Sequence, residues 1–422
     1  MMAARAVLVL RNVTLPDGRI ADISMGEGIV LHIGAALPCD RVIDCTGLLV
    51  LPGATDIHVH MRGGSQSEKE DWQTGSRSAL AGGVTLVVDQ PNTVPPLTTP
   101  EIFAARLRDA MLNSACHFAV NSALTNDTDI KRMWAAGAMA FGETFFGPST
   151  YGEAIRTSAL ARSFTDISAI GGLVTVHAEK ADEIAENSLM DHDRARPIAG
   201  EVEAIRTVQF FNRAVCRLHF CHVSSVAAVD VIGKASLEVT PHHLFLSRES
   251  FSNPADPDGK VNPPLRSEKE RRKLWRYWDR IDIIASDHAP HTISEKLAPF
   301  SDAPAGIPGV ETMMPLLVAK VLDKTITAES LIRKTSEGPA ALLEIPKAGF
   351  ATGDRADFAL YGKNPARIQA DALHSRCGWT PYEGMPAAFP EKVIMGGAVV
   401  YNEGEFFRGS PRWFAGKGYQ KL

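Results

Sequence analysis

The sequence predicts an α/β fold, a (β/α)8 TIM barrel with a small β-rich accessory domain built from both chain termini. Three observations lead to this prediction. Eight short apolar or β-branched runs lie between residues 48 and 290, separated by stretches with helical patterning. Polar residues follow these runs, at the strand ends where barrels carry their chemistry. At both ends of the chain, short alternating strands are punctuated by turn residues instead.

The eight apolar runs are predicted to be parallel strands buried on both faces, since they lack regular polar alternation. In chain order they are 48–51 continuing into 56–60, then 85–89, 117–122, 138–143, 173–177, 218–222, 237–241 and 281–286. The predicted helices between them are 69–81, 100–112, 152–163, 181–188, 200–214, 225–234 and 269–278. Strands and helices that alternate in this way are typical of repeated βα units.

The two ends of the chain are predicted to form one accessory domain. Residues 1–50 carry the turn sequences Pro16-Asp17-Gly18 and Gly26-Glu27-Gly28, and residues after about 350 show the same pattern around Gly396-Gly397. We therefore assign 1–50 and 346–422 to this domain and 51–345 to the barrel. Two separate subdomains would show the same pattern, so that alternative stays open.

The composition argues against several classes of partner. The 422 residues carry a net charge of -5 at pH 7, without the basic balance of a nucleic-acid binder. No apolar stretch approaches the roughly 20 residues that span a bilayer, and the first residues lack the pattern of a signal peptide. The six cysteines form no Cys-x-x-Cys pair, which favours a cytoplasmic location. We expect a small-molecule substrate, no nucleic acid and no membrane.

Polar residues that can bind a metal follow five of the predicted strands. His58 and His60 end the first strand and share one of its faces, because they are two residues apart. The other candidates are Glu143 on strand four, His177 on strand five, His222 on strand six and Asp287 on strand eight. Any one histidine alone is more often a hydrogen-bonded core residue. Together, the six suit two Zn²⁺ ions, or neighbouring metals, that share a bridging carboxylate and a bridging hydroxide.

Eight short motifs accompany these residues. They are Asp56-Ile57-His58-Val59-His60-Met61-Arg62, Lys69-Glu70-Asp71-Trp72, Gly82-Gly83-Val84-Thr85, Gln90-Pro91-Asn92-Thr93, Pro241-His242-His243-Leu244, Val261-Asn262-Pro263-Pro264-Leu265-Arg266, Asp287-His288-Ala289-Pro290-His291 and Gly306-Ile307-Pro308-Gly309-Val310-Glu311-Thr312. With the ligand set, they resemble the amidohydrolase superfamily and, within it, the dihydroorotases of the cyclic amidohydrolase group. The resemblance covers residues 50–345 strongly and the two ends more loosely.

The resemblance implies reversible cyclisation of N-carbamoyl-L-aspartate to L-dihydroorotate, with loss of water, in pyrimidine synthesis. It implies two zinc ions per chain, a metal-bound hydroxide as the nucleophile and Asp287 as the general acid and base. Many relatives carry a carboxylated lysine on strand four, whereas the lysine nearest to that run here is Lys131. Glu143 is expected to bridge the metals in its place. The alternative is that Glu143 forms a salt bridge at the rim.

Arg62 is the residue that predicts an anionic substrate, because a buried carboxylate requires a paired cation or several donors. Asn92 and His291 are expected to add contacts to the same carboxylate. The resemblance assigns Asn262 and the backbone near Gly306 to the amide edges of the ring. Alternatives remain for two of these residues: Arg62 could pair with Glu70, and Asn262 could cap a loop.

Three further histidines lie in the motifs outside the proposed ligand set. His242 and His243 close predicted strand seven and could line the site or serve the structure, whereas His288 is expected to orient Asp287 or its loop.

Two other functions stay open. One is a hydantoinase-like or allantoinase-like hydrolase of neutral rings, which Arg62, His291 and the missing lysine argue against. The other is a catalytically silent dihydroorotase-like scaffold, which the complete ligand set argues against. Base rates favour a homo-oligomer, and association with another enzyme of the pyrimidine pathway is left open.

Overall fold

The computed structural model describes residues 5–145 and 155–420. Five strands precede the barrel: β1 (Ala6–Thr14), β2 (Ile20–Gly26), β3 (Ile29–Gly34), β4 (Cys39–Asp44) and β5 (Leu49–Pro52). β1, β2 and β3 pair antiparallel in turn, and β4 runs parallel to β1. Leu10, Ile23 and Val30 belong to the apolar core on this sheet, as the predicted alternation requires.

Eight parallel strands form the barrel within the described residues. They are β6 (Ala54–Val59), β7 (Val84–Asp89), β8 (His117–Val120), β9 (Phe141–Phe145), β10 (Leu173–His177), β11 (Arg217–Phe220), β12 (Ser236–Val239) and β13 (Ile283–Ile284). β6–β8 form one arc and β9–β13 the other. Parallel bridges between Ser122 and Phe141 and between Val59 and His288 join the two arcs. The predicted (β/α)8 class is confirmed.

Helices follow most of the barrel strands. They are α1 (Trp72–Ala81), α2 (Pro100–Asn113), α3 (Ile130–Ala136), α4 (Thr157–Ala169), α5 (Leu189–Ala195), α6 (Ile198–Phe211), α7 (Val226–Val231), α8 (Pro241–Phe245), α9 (Glu268–Arg276), α10 (Ile293–Lys296), α11 (Val310–Leu322), α12 (Ala328–Ile332) and α13 (Gly338–Leu343). Side chains of Asp71, Thr99 and Ser225 accept backbone N–H groups at three helix starts. Among the described residues, none of these helices has the length and apolar character needed to cross a bilayer.

The C-terminal part of the chain returns to the N-terminal sheet. Its strands are β14 (Phe358–Tyr361), β15 (Ala366–Arg367), β16 (Pro386–Ala387), β17 (Pro390–Met395), β18 (Ala398–Asn402) and β19 (Glu405–Phe406). The sheet order is β19-β18-β17-β14-β5-β1-β2-β3, with β4 beside β1, so strands from both ends share one sheet. The segment between β15 and β16 instead packs Trp379 and Tyr382 against Leu246, Val261 and Ile307 of the barrel loops.

Two predicted elements are wrong. The run 48–51 does not continue into 56–60, because β5 pairs with β14 while β6 pairs with β7. Gly53 separates the two strands at a point where any Cβ would lie 2.4 Å from Thr85 Oγ1. Residues 181–188 form no helix; the Ser188 side chain accepts Asp191 N–H and starts α5 there. Part of predicted helix 152–163 lies outside the described residues.

A buried carboxylate links the accessory sheet to the barrel. Asp357 accepts the Gly396 N–H at 2.7 Å and lies 3.2 Å from Arg355 Nε and 3.6 Å from His117 Nε2 of β8. Burial raises the pKa of Asp357, but His117 and Arg355 outweigh it and hold the pKa below its usual range. The carboxylate therefore stabilises the junction in its ionised form.

Candidate metal centre and carboxylate pocket

The six side chains predicted to bind metal lie together, buried, at the carboxyl ends of the barrel strands. His58 lies in β6 with His60 just beyond it, Glu143 lies in β9, His177 ends β10, His222 follows β11 and Asp287 follows β13. Glu143 was predicted at the end of its strand, and the structure places it within β9. The six side chains belong to five strands of one barrel, so closure of the barrel brings them together.

His58, His60 and Asp287 form the first half of the centre. Asp287 Oδ1 lies 3.2 Å from His60 Nε2 and 3.5 Å from His58 Nε2. Ligands about 2.0–2.2 Å from a tetrahedral zinc ion are separated by about 3.3–3.6 Å. Among the described residues, His58 Nε2 is buried and has no hydrogen-bond partner. These three atoms therefore have the spacing of a metal-ligand set.

Glu143, His177 and His222 form the second half. Glu143 Oε1 lies 2.9 Å from His177 Nδ1 and 2.7 Å from His222 Nε2, and these two ring nitrogens are 3.1 Å apart. The other oxygen, Oε2, lies 3.6 Å from His58 Nε2 in the first half. The two oxygens of Glu143 thus face different histidine groups, as a bridging carboxylate does.

Three residues of the site adopt left-handed backbone conformations. The φ angles are 43° at Arg62, 33° at His222 and 46° at Asp287. This region costs an L-residue other than glycine about 1–2 kcal/mol, and such strain clusters at functional sites. The surrounding barrel therefore holds these side chains where local backbone preference alone would not place them.

Glu238 of β12 orients the first histidine, a role that the sequence did not reveal. Its Oε1 accepts His58 Nδ1–H at 2.6 Å and the His222 backbone N–H at 3.2 Å, and its Oε2 lies 3.0 Å from His219 Nε2. Burial raises the pKa of Glu238, but His58 and His219 outweigh it and lower the pKa to about 2. The carboxylate fixes the proton of His58 on Nδ1 and leaves Nε2 for a metal.

Glu179 performs the same task for His177. Its Oε2 lies 3.1 Å from His177 Nε2 and 2.6 Å from Arg196 Nη1. The Nε2 proton of His177 is therefore directed outward, and Nδ1 faces Glu143 and His222. The spacing His177-Ala178-Glu179 was a usable signal, since residues two apart tend to share a face near a strand end.

The buried carboxylates favour positive charge on the groups between them. Burial raises the pKa of Asp287, yet His58 and His60 hold it well below its usual range. Burial also opposes ionisation of Glu143, but the surrounding histidines lower its pKa. Burial lowers the pKa of His177, but the neighbouring carboxylates outweigh it and raise the pKa to about 9. The same balance of charge favours a bound cation.

Arg62 lies beside this centre with a buried guanidinium. Its Nε donates to the Pro290 carbonyl at 3.3 Å, and Nη2 lies 3.4 Å from His291 Nε2. Within the described parts of the chain no carboxylate forms an ion pair with Arg62, and Glu70 instead accepts from Thr74 and Ser375. The alternative pairing of Arg62 with Glu70 is therefore wrong. Burial lowers the pKa of Arg62 to about 10, which leaves it charged at neutral pH.

Asn92, Asn262 and Gly306 were also predicted to contact substrate. Asn92 Oδ1 and Asn262 Oδ1 are buried and accept no hydrogen bond from the described residues. Gly306 has a φ of 134°, and a Cβ there would lie 2.6 Å from the Ala289 carbonyl oxygen. Its N–H donates to the Lys260 carbonyl at 2.9 Å and is already used. The side-chain oxygens of Asn92 and Asn262 can therefore still accept a hydrogen bond from a ligand.

His291 is held from the C-terminal part of the chain. The Trp379 Nε1–H donates to the His291 carbonyl at 2.7 Å. The ring of His291 is buried, and its Nε2 lies 3.1 Å from the Ala305 carbonyl oxygen. Trp379 was not found from the sequence, because nothing local marks a tryptophan 88 residues away as a neighbour of His291.

The remaining histidines of the motifs differ in position and in hydrogen-bond partners. His242 and His243 lie on α8, not on a strand as predicted. His243 donates from Nε2 to the Pro263 carbonyl at 3.0 Å, which is a structural contact. His288 Nδ1 accepts the Gly309 N–H at 3.1 Å, and its carbonyl accepts the His60 N–H at 2.8 Å. His288 therefore ties the loop after β13 to β6 and to the start of α11.

Comparisons with known proteins place the chain in a family. A family model described as the amidohydrolase family matches residues 49–400. The chain is 36% identical over 433 residues to a dihydroorotase of Methanosarcina acetivorans, across 93% of this chain and 92% of that protein. It is 38% identical over 407 residues to a dihydroorotase of Halobacterium salinarum, across 93% of this chain and 96% of that protein.

Solved structures share the fold. An L-hydantoinase (dihydropyrimidinase) from Arthrobacter aurescens has a TM-score of 0.90 at 26% identity and covers 97% of this chain and 100% of its own. A D-hydantoinase (dihydropyrimidinase) from a Thermus species has a TM-score of 0.87 at 23% identity, with 97% and 99% covered. At that identity the second likeness concerns the fold alone.

Proposed function

The chain belongs to the amidohydrolase family, and from this premise we propose that it interconverts N-carbamoyl-L-aspartate and L-dihydroorotate. The single observation that carries the substrate is Arg62. Its guanidinium is buried and charged, and it has no ion-pair partner among the described residues. In the sequence, Arg62 lies two residues after His60 of the candidate metal centre. A buried cation in this state is stabilised by an anionic ligand. The carboxylate of dihydroorotate supplies that charge, whereas a neutral ring does not.

The six clustered side chains fit a pair of zinc ions. His58, His60 and Asp287 would hold one ion, His177 and His222 the other, and Glu143 would bridge them. The fit rests on the ligand-atom spacing and on the buried, unpartnered Nε2 of His58. When bound, zinc polarises a carbonyl oxygen and makes water a stronger acid. Burial raises the pKa of the Cys221 thiol, in the same cluster, to about 12.

Asp287 is suited to move the proton. Its Oδ1 contacts His58 and His60, and no described residue donates a hydrogen bond to Oδ2. In ring opening, Oδ2 accepts the proton of the attacking water and passes it to the amide nitrogen that leaves the carbonyl carbon. In ring closure the same oxygen takes the proton from that nitrogen and returns it to the departing water.

The pocket residues orient the ring for this transfer. Arg62 grips the carboxylate, with Asn92 and His291 beside it as further polar groups. The free oxygen of Asn262 is suited to accept an N–H from the amide edge of the ring. These contacts hold the scissile amide against Asp287, which reduces the entropy cost of the reaction.

A neutral-ring hydrolase is the second candidate, because the L-hydantoinase of Arthrobacter aurescens has the same fold across 97% of this chain. The buried charge of Arg62 separates the two candidates, since a neutral ring leaves it without a partner. A silent scaffold is disfavoured by the complete set of six clustered side chains. Cytoplasmic location, a homo-oligomer and association with a second pathway enzyme stay predictions.

Substrate choice tests the proposal. The kcat/KM for L-dihydroorotate and for neutral dihydrouracil is measured with zinc-loaded wild type, with Arg62→Met and with Arg132→Met. Arg132 is a matched control, because it is exposed and pairs only with exposed Glu101 in the described structure. We expect wild type and Arg132→Met to prefer dihydroorotate, and Arg62→Met to lose about 30-fold or more on that substrate alone. Preference of the wild type for dihydrouracil would establish the neutral-ring candidate instead.

A further inference from the structure

Arg106 lies on α2 beside the turn that carries Arg62, and neither the metal centre nor the proposed substrate contacts use it. Its side chain is 7% exposed. Its Nε donates to Asp89 Oδ2 at 2.7 Å, and its Nη1 donates to the Arg62 carbonyl at 2.6 Å. Asp89 is the last residue of β7 and is buried. Arg106 therefore joins a barrel strand to the backbone of the residue that is proposed to bind the substrate carboxylate.

Asp89 holds the same turn through its second oxygen. Oδ1 accepts the Met61 N–H at 2.9 Å, while Oδ2 accepts from Arg106. The ion pair of Asp89 and Arg106 thus contacts the N–H at the start of the segment Met61-Arg62 and the carbonyl at its end. Both ends of this two-residue segment are fixed by one buried pair of opposite charges.

The backbone at Arg62 requires such support. Its φ of 43° is a left-handed conformation that residues other than glycine rarely adopt. Gly63 follows with a φ of 84°, and a Cβ on Gly63 would lie 3.1 Å from Arg106 Nη1. Glycine at this position therefore leaves room for the guanidinium of Arg106 against the turn. Without that guanidinium, the backbone at Arg62 is free to relax toward an ordinary conformation, which moves the Arg62 side chain.

The pair acts on Arg62 by position more than by charge. Burial is the first cause that lowers the pKa of Arg62; the charge of Arg106 adds to this effect and the charge of Asp89 opposes it. The guanidinium carbon of Arg106 also lies 4.9 Å from the centre of the Trp72 ring, and Nη2 is buried without an acceptor among the described residues. Arg106 is thus neutralised by Asp89 and covered by an aromatic ring.

We propose that Arg106 is a positioning residue for the recognition of a ring carboxylate: together with Asp89 it holds the left-handed turn at Arg62 and so fixes the Arg62 guanidinium beside the candidate metal centre. The inference rests on the proposed function and deepens it, because it names what holds the substrate-binding cation in place. Arg106 touches no reacting atom and acts through Arg62.

Steady-state kinetics test the effect on binding. KM and kcat for L-dihydroorotate are compared in wild type, Arg106→Met, Arg106→Lys and the control Arg108→Met, whose arginine is exposed on the same helix. We expect a KM about tenfold higher in Arg106→Met. The kcat should stay within about threefold, because Arg62 binds the carboxylate in both the ground state and the transition state. Arg106→Lys cannot bond Asp89 and the Arg62 carbonyl as a fork and should give an intermediate KM. Arg108→Met should keep the wild-type KM.

A double-mutant cycle separates positioning of Arg62 from a general structural role. The kcat/KM for L-dihydroorotate is measured for Arg62→Met alone and combined with Arg106→Met or with Arg106→Lys. If Arg106 acts through Arg62, each double variant should match Arg62→Met within about twofold, because no guanidinium remains to be positioned. An arginine that only stabilises the barrel would lower kcat/KM by the same factor in both backgrounds. Arg106→Lys keeps a charge beside Asp89, so the cycle can be completed even if Arg106→Met does not fold.

The two proposals fail in different ways. If wild type does not open L-dihydroorotate, the proposed function falls and this inference falls with it. If wild type opens L-dihydroorotate and the Arg106 variants keep the wild-type KM, the inference alone is overturned. The same holds if their losses multiply with the loss caused by Arg62→Met.

Discussion

Glu238 offers the sharpest test of how the protein positions the residues of the candidate metal centre. The perturbations are Glu238→Gln, which removes the charge and keeps the shape, and Glu238→Ala, which removes both. Three buried donors converge on this carboxylate, His58 Nδ1 at 2.6 Å, His219 Nε2 at 3.0 Å and the His222 N–H at 3.2 Å. Removing the carboxylate therefore affects the proton position on His58 and the backbone of His222 together.

The expected loss of metal affinity follows from those contacts. Loss of a carboxylate behind a metal-binding histidine typically costs about 10–100-fold in metal affinity, or about 1.4–2.7 kcal/mol. In Glu238→Gln, Oε1 can still accept from His58 and the His222 N–H, and His219 can move its proton to Nδ1 beside Ser236 Oγ at 2.8 Å. We expect a loss near tenfold for this variant. Glu238→Ala leaves the donors unpaired, at about 1–3 kcal/mol each, and should approach the hundredfold end.

The assay is the chelator concentration that removes half of the bound zinc, with circular dichroism to confirm that the protein stays folded. Glu101→Gln is the control, because Glu101 is an exposed carboxylate on α2 paired with Arg132. Half-removal at a lower chelator concentration in Glu238→Gln, and lower still in Glu238→Ala, agrees with the structure. Equal midpoints in both variants and wild type would refute the role assigned to Glu238.

Two further predictions concern contacts that lie farther from the metal centre. Trp379→Phe removes the N–H that holds the His291 carbonyl, so KM for L-dihydroorotate should rise about 2–10-fold, with kcat nearly unchanged in steady-state kinetics; an unchanged KM would contradict this. Asp357 has a pKa below its usual range, so its ionised form stabilises the fold above the ordinary carboxyl pKa and this stabilisation is lost as pH falls. Asp357→Asn should lower the free energy of unfolding at pH 7 by on the order of 3 kcal/mol. Urea titrations should show that the difference from wild type shrinks below about pH 4. A difference that stays constant with pH would contradict a stabilising role for the ionised form of Asp357.

Much of the site was predictable because its residues follow local patterns. His58, His60, His177, His222 and Asp287 each lie at or just beyond the end of an apolar run, and parallel strands bring such positions to one end of a barrel. The pattern also located Glu143, although it lies within β9 rather than at its end.

The supporting residues were not predictable from local pattern. Glu238 contacts His58 across 180 residues of sequence, and Trp379 contacts His291 across 88. A glutamate inside a short apolar strand indicates that some buried partner exists, but the partner is fixed only when the barrel closes. Glu179 is the exception, because its spacing from His177 was visible in the sequence.

The errors in the predicted fold have local causes. The run 48–51 is as apolar as a barrel strand, and only the pairing of β5 with β14 assigns it to the accessory sheet. Residues 181–188 mix small and charged residues in a helix-like pattern, but the cap at Ser188 starts the helix after them. The hydrophobic pattern of these segments therefore could not predict which strand pairs with residues 48–51 or where the helix begins.

We propose that two metal ions bridged by Glu143 open L-dihydroorotate. The most direct test counts zinc per chain and measures turnover of L-dihydroorotate on the same samples of wild type and Glu143→Gln. We expect about two zinc ions per wild-type chain and about one or fewer in Glu143→Gln, with a loss of turnover that accompanies the loss of metal. Equal zinc content and equal turnover in the two proteins would contradict it.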